Sequence, residues 1–413
     1  MARRAAPPRP SPPPPLLLLL LGGLLLAAAQ GPLDAALHLL PPSRVAEFDA
    51  RCLDGSPPGY YIRRASPPST SWKVHVGGGG GCTNAADCAG RAKSLTGSSS
   101  KWEPWLSALY FPGFGEGAAF SGLMAANDTG VNPFGAFNFV WLAYCDGSSL
   151  LSDVSAPVQV GNATIHLRGR AILDGVLAEL EAGEAFLSTA TEVLFSGTSA
   201  GGLSALLHAS YVRSRLAAAG ARLAAVPDAG WFMDHESMAP PRAHRWLDSL
   251  RLAVPFWNAT LRGDAAQCAA ANAGAPERCL CPNYLFPFST VPHFIVQSFA
   301  DPTNFDICFS PTCDLNVPGS CNATEAQQIL GYSADLAASV QASAALFGDR
   351  DGYFLTGCAQ HEESCRAEDW FGIEIDGQNA NATTTTATNA SVAADAMKAV
   401  RRCFWRRSSR RAC

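Results

Sequence analysis

The chain has 413 residues, 48% hydrophobic and 16% charged, with 37 Gly, 29 Pro and 14 Cys. That is enough apolar material for a large core, which excludes a disordered or collagen-like chain and a miniprotein held by disulfides alone. The formal net charge is −5, and leaving out Arg3, Arg4, Arg9 and the six arginines between 401 and 411 takes residues 30–400 to −14; a body so acidic repels polyanions, so nucleic-acid binding is not expected.

Arg3, Arg4 and Arg9 precede an apolar run from Leu16 to Ala29 that closes on small residues. This reads as a signal peptide over 1–29, cut near Ala29 or Gln30, because a membrane span needs roughly 20 apolar residues. No later segment is apolar for long enough to span, so no stable membrane span is expected after cleavage. Trp72–Val76 is a strand candidate that runs into five glycines, Gly77–Gly81; Phe139–Tyr144 and Ile165–Leu167 are further strand candidates. Ala171–Ala182 has helical spacing, Thr191–Ser196 reads as a strand, and Ala200–Ala218 as a helix. Strands at Arg222–Val226 and Phe294–Ala300 follow. Strands alternating with helices imply βαβ units and a mainly parallel central sheet covered by helices on both faces, the α/β class, in one domain over 30–405.

Cys and Pro crowd together between Cys268 and Cys321, which predicts disulfide-braced insertions around the strand at 294–300. Fourteen cysteines is an even number, and neither Cys279-Leu-Cys281 nor Cys308 to Cys313 has a zinc-ribbon spacing, so disulfides rather than a metal site are expected. Acceptor sequons at Asn127, Asn162, Asn258, Asn322, Asn381 and Asn389 point to the same oxidising, extracellular or cell-wall setting. Gly377–Ser391 is low in complexity and reads as a glycosylated loop before a last helix near 393–402, and 406–413 as a basic tail.

Gly197-Thr-Ser-Ala-Gly201 fits a nucleophile elbow, where a serine sits on a strained turn between a strand and a helix. Such a serine needs a base and a carboxylate that orients it, in the order Ser, Asp or Glu, His in hydrolases with this elbow. Asp301, just past the strand at 294–300, is the natural acid, with Asp306 as the alternate. Among the later histidines, His208 lies nine residues along the helix that follows Ser199, roughly 13 Å away. His293 starts the strand whose far end carries Asp301, and His235 and His244 precede Asp301 in the chain. His361 satisfies both order and sheet edge. The oxyanion hole is expected from the amide of Ala200 and from the glycine run, at Gly79 and Gly80. The catalytic set is therefore Ser199, Asp301 and His361, on an α/β-hydrolase-like fold, with no metal or organic cofactor.

These residues resemble the pectin acetylesterase and Notum-like carboxylesterase family. The matching stretches are Cys52–Tyr60, the glycines before Cys82, Asn132-Pro133, Tyr144-Cys-Asp-Gly147, Arg168-Gly169, Gly197–Gly202, Asp228-Ala-Gly230 with Asp234, Ser298–Asp301 and Cys358–His361. The resemblance covers about 50–405 and puts the family's triad on Ser199, Asp301 and His361. It departs where the family carries an acidic residue and an aromatic side chain near the oxyanion glycines and this chain carries only glycine at 80 and 81, and where Thr198 stands for a frequent Cys. The resemblance implies a secreted serine carboxylesterase, expected as a monomer, that deacetylates a cell-wall or extracellular polysaccharide. The alternatives are removal of a palmitoleoyl group from a protein, as in the Notum branch, and a catalytically silent glycan-binding protein.

Overall fold

The structure, a computed structural model, describes residues 35–106, 122–125, 132, 134–315, 317, 319–357 and 359–364, with the backbone of 374–375 and 378–379. The leader, Asn127, the rest of the 377–391 loop with Asn381 and Asn389, the expected helix at 393–402, the tail, and Cys358, Cys365, Cys403 and Cys413 lie outside the described residues.

Nine strands form one sheet. They are β1 (Ala35–Leu39), β2 (Gly59–Arg63), β3 (Ser71–Val76), β4 (Trp105–Leu106), β5 (Asn138–Leu142), then, after a separate hairpin of β6 (Val158–Val160) and β7 (Ala163–Ile165), β8 (Glu192–Thr198), β9 (Arg222–Asp228), β10 (Phe294–Ser298) and β11 (Gly352–Thr356). Their spatial order is β11-β10-β9-β8-β3-β5-β2-β1-β4. From β11 to β5 all neighbours are parallel, and β2, β1 and β4 add an antiparallel flank. This is the α/β-hydrolase-like architecture expected from the alternation of strands and helices.

The helices are α1 (Pro42–Phe48), α2 (Ala85–Arg91), α3 (Gly169–Glu184), α4 (Phe186–Thr189), α5 (Ala200–Arg215), α6 (Arg245–Trp257), α7 (Gly263–Ala271), α8 (Pro282–Leu285), α9 (Pro302–Asn304) and α10 (Ala323–Ala345). Strand β8 shows why both sheet faces need cover. Val193 and Phe195 pack with Ile172, Val176 and Leu180 of α3, while Leu194 between them joins Phe139, Val226 and Val296 on the other side. Successive side chains of a strand point to opposite faces, so a strand apolar at every position belongs in the middle of a covered sheet.

Several expected boundaries move, among them those of three strands. The strand expected at 165–167 is the end of the β6–β7 hairpin, after which the chain turns into α3. The strand expected at 294–300 stops at Ser298, because Asp301 caps the start of α9 with its side chain. The strand expected at 222–226 continues to Asp228, paired there with Thr198.

Disulfides join Cys52 to Cys145, Cys82 to Cys88, Cys268 to Cys279 and Cys313 to Cys321, the last two in the Cys- and Pro-dense region. Cys281 and Cys308 are free and buried. Asn162, Asn258 and Asn322 are exposed. Among the described residues no helix is long and apolar enough to cross a membrane.

Strand β3 and helix α5 meet backbone to backbone. A Cβ added at Gly201 would lie 2.1 Å from the carbonyl oxygen of Val76, a distance no side chain survives. Gly201→Ala is accordingly expected to push α5 off the sheet and lower stability by about 3 kcal/mol, the upper end of overpacking costs, measured by urea unfolding with fluorescence.

Candidate active site

Parallel strands gather their carboxyl ends at one edge, and in open α/β sheets that edge is where sites form. Ser199 stands at the turn between β8 and α5, with φ 55° and ψ −120°, in a region that a non-glycine residue occupies only under strain. The strain is held by a backbone bond from the Ser199 amide to the Asp228 carbonyl at 2.9 Å. Behind the serine, Ala200 opens α5, so its amide is one of the orphan donors of a helix start.

Asp301 is buried three residues beyond the end of β10, which closes at Ser298. One carboxylate oxygen accepts the amides of Thr303 and Asn304 at 2.8 and 3.2 Å, and the other accepts from His361 Nδ1 at 2.7 Å. Gln297 adds a weaker bond to that second oxygen at 3.4 Å. With Nδ1 carrying the proton toward Asp301, Nε2 of His361 is the basic nitrogen, and it is buried with no hydrogen-bond partner among the described residues. Burial alone would lower the imidazole, but the hydrogen bond and charge of Asp301, followed by the charges of Glu362 and Asp228, raise it above its ordinary 6.5.

Ser199 and His361 line one cavity of about 580 Å³. Gly79, Gly80, Gly81, Ala200 and Glu362 line it, with the apolar side chains of Leu203, Phe232, Trp246, Leu250, Trp257 and Ile307 and with polar groups that include Asp87, Arg245 and Asp306. The amides of Gly78 to Gly81 donate to no other described residue, whereas the flanking amides of Gly77 and Cys82 are bonded to Leu142 and Gly147. Four successive unpaired N–H groups beside a serine and a helix start form a site for developing negative charge.

The structure thus brings His361 and Asp301 into contact and sets Ser199, Ala200, Gly79 and Gly80 on the same cavity. Asp306 lines the cavity but does not bond His361. The other histidines are engaged elsewhere: His208 with the Ser149 carbonyl, His235 with Asp335, His244 with Asp234 and His293 with Ser289 and Val291.

Asp228 is the residue that sequence reasoning left without a role. Fully buried, it takes the amides of Glu363 and Ser364 and the Ser364 hydroxyl on one oxygen, at 2.8, 2.7 and 2.7 Å. Burial pushes its carboxyl up to about 6 despite those bonds. The same loop is held from the other side by the Leu123 amide on the Ser364 carbonyl at 2.8 Å. The turn at 122–125 is in turn fixed by Lys73, whose buried ammonium donates to the carbonyls of Leu123, Met124 and Ala125. The signal for Asp228 was its place at the end of the strand beside the nucleophile strand, two residues short of Gly230.

A profile of the family described as Pectinacetylesterase matches residues 32–405. The chain belongs to this family. Among pectin acetylesterases, Pectin acetylesterase 11 of Arabidopsis thaliana is 28% identical over 338 residues, 78% of this chain and 79% of that protein. Palmitoleoyl-protein carboxylesterase NOTUM of Schmidtea mediterranea is 25% identical over 348 residues, 81% of this chain and 60% of that protein. The fold matches the structure of the Wnt deacylase Notum from Drosophila with a TM-score of 0.69 at 22% identity, over 87% of this chain and 93% of that one. Family and relatives together support a hydrolase of carboxylic esters.

Two measurements check the geometry itself. His361 should titrate above 6.5 by NMR of labelled imidazole, and Asp301→Asn should bring it down, since the largest raising contribution is lost. Asp228→Ala leaves three donors unpaired, so we expect a loss of about 3 kcal/mol in stability and faster hydrogen exchange confined to residues 359–364.

Proposed function

We propose that the chain is a serine carboxylesterase in which Ser199 attacks the ester carbonyl, His361 moves the proton and Asp301 holds the imidazole. The single observation that carries this reading is the 2.7 Å bond from His361 Nδ1 to Asp301, which leaves Nε2 outside that bond in a residue that lines the same cavity as Ser199. Attack forms the Ser199 Oγ–carbon bond while Nε2 accepts the hydroxyl proton. The carbonyl oxygen, now negative, is received by the amides of Ala200 and of Gly79 and Gly80. Collapse breaks the bond to the alcohol, which leaves with the proton from His361. A water activated by the same nitrogen then splits the acyl-enzyme. No step calls on a metal or organic cofactor.

For the substrate we propose an O-acetylated polysaccharide, which the name of the plant relatives supports. The four disulfides support work in an oxidising compartment, with 1–29 a removable leader, 30–405 the enzyme and 406–413 a tail. A second reading is favoured by the cavity. At about 580 Å³, walled by Phe232, Trp246, Leu250 and Trp257, it is far larger than an acetyl methyl fills and matches an apolar acyl chain such as the one named in the NOTUM relatives.

Fluorophosphonate should label the purified protein at Ser199, and Ser199→Ala should lower ester turnover on the order of a million-fold. Turnover that survives in folded Ser199→Ala ends the reading. Because His361 must be neutral to accept a proton, kcat/KM should fall on the acid side with an apparent pKa above 6.5, and Asp301→Asn should cost about ten-thousand-fold. Rates on p-nitrophenyl acetate and octanoate separate the two substrate readings: preference for acetate, with acetate released from acetylated polysaccharide, supports the first, and preference for octanoate replaces it with the second.

A further inference from the structure

A run of glycines has no side chains with which to hold a shape, and each one loses more backbone freedom on folding than any other residue. Gly77–Gly81 is nevertheless the wall that must keep its amides in place. Gly79 and Gly80 have φ of 148° and 70°, so the turn also uses backbone that other residues rarely adopt. Something outside the run has to fix it.

The carbonyls of the run show what does. Arg91, at the last turn of α2, donates from one guanidinium nitrogen to the Gly79 carbonyl and from the other to the Gly81 carbonyl at 3.2 Å. Tyr144 donates its hydroxyl to the Gly80 carbonyl at 2.8 Å. Three successive carbonyls are thus held by two side chains. In a planar trans peptide the carbonyl of one residue and the amide of the next point in opposite directions, so gripping Gly79 by its oxygen turns the amide of Gly80, one of the two glycine amides assigned to the oxyanion, the other way, and gripping Gly80 does the same for the neighbouring amide of Gly81. Those amides have no acceptor among the described residues.

The two gripping groups are themselves braced. Arg91 also donates to the Thr96 hydroxyl at 2.9 Å, and its helix is tied to the end of the glycine run by the disulfide from Cys82 to Cys88. The Tyr144 hydroxyl accepts the Ser149 amide at 3.0 Å. Burial, with the nearby Asp146, pushes that phenol upward, so it remains a donor. The fit is close: a Cβ at Gly79 would lie 2.6 Å from Thr96 Cγ2 and 2.9 Å from Tyr144 Cδ1.

We propose that Arg91 and Tyr144 are positioning residues for the oxyanion-binding turn, clamping its carbonyls so that its amides are already aimed when negative charge develops on the substrate oxygen. The inference rests on the esterase reading above. Neither residue touches the reacting atoms; both act through the glycine backbone.

A clamp of this kind serves the transition state more than substrate binding, so kcat and KM should separate. In Arg91→Ala we expect kcat on p-nitrophenyl acetate to fall about thirtyfold, part of the roughly hundredfold or more that losing one oxyanion donor costs, with KM within twofold of the parent. Affinity for an aryl trifluoromethyl ketone, which forms a tetrahedral adduct, should fall by the same factor. Added guanidinium at sub-denaturing concentration should restore part of kcat in Arg91→Ala and none in Ser199→Ala. If Arg91→Ala does not fold, Arg91→Lys, which keeps charge and stem but reaches only one carbonyl, is read in the same way, and Tyr144→Phe gives an independent second value. Parent-like kcat in the folded Arg91 variant, or a loss shared equally by kcat and KM with unchanged ketone affinity, overturns the clamp. Ser199→Ala assayed alongside keeps the outcomes apart: if it retains turnover, the esterase reading fails, whereas its inactivity beside a fully active Arg91→Ala sinks the clamp alone.

Discussion

The carboxyl edge of this sheet depends on Asp228. Its backbone carbonyl receives the Ser199 amide and its carboxylate receives three donors from Glu363 and Ser364, so one residue joins the strained serine turn to a loop 135 positions further along the chain. Each ordered residue costs about 1–2 kcal/mol in backbone entropy, and burying the polar residues Glu362, Glu363 and Ser364 adds a desolvation cost unless their groups are paired. A buried carboxylate is itself unfavourable, which is why its pKa stands near 6 rather than 3.8. The bonds it makes hold the loop with directional, short contacts that apolar packing does not supply. Lys73 extends the arrangement from beneath: its ammonium shapes the turn at 122–125, and that turn donates to Ser364.

What could be read from the sequence was local. The elbow at Gly197–Gly201 follows an apolar strand and opens a helix, and both halves are visible in the spacing of apolar residues. The position of Asp301 follows from a strand end, and that of His361 from chain order; the structure sets these two side chains in contact and places Ser199 on the same cavity. The roles that escaped notice depend on registers and returns. Asp228 matters because Thr198 pairs with it across β8 and β9 and because the chain comes back at 363–364. The place of Arg91 was not legible, since nothing in its own helix says that the glycine run passes within reach. The apolar cavity wall draws on Phe232, on Trp246, Leu250 and Trp257 of α6 and on Ile307, which no single periodicity collects. Strands β1 and β2 escaped because a short antiparallel flank has no βαβ spacing around it.

Charge is sorted across the cavity in a way that suits the proposed chemistry. At the histidine stand Asp301 in contact with Nδ1 and, without a hydrogen bond to the ring, Asp228 and Glu362, all favouring a positive imidazole. The guanidinium of Arg91 is bonded to the carbonyls of the glycine turn, and Gly79, Gly80 and Gly81 of that turn line the cavity. Attack by the serine would create a positive imidazolium on one side and a negative oxygen on the other, so the fixed charges lie along the dipole that forms. In a site walled by aromatic and aliphatic side chains such charges are weakly screened and need no reorganisation at the moment of reaction.

Glu362 is the one group placed against this order. Its carboxylate lies 4.0 Å from His361 Nε2, and a Cβ built on Gly78 would come 2.6 Å from it and 3.2 Å from Ser199 Cβ. In the proposed reaction it would therefore stabilise the imidazolium and oppose the oxyanion at the same time. The two effects do not cancel, because they are met by different partners: the imidazolium already has Asp301 at 2.7 Å, so a further carboxylate adds little there. The oxyanion has only backbone donors, and their worth depends on aim. A negative charge next to the glycine turn thus makes the orientation of its amides more consequential, and the burden falls on whatever holds a side-chain-free backbone in place. Arg91 gripping the Gly79 and Gly81 carbonyls and Tyr144 gripping that of Gly80 are the groups in this fold that do so.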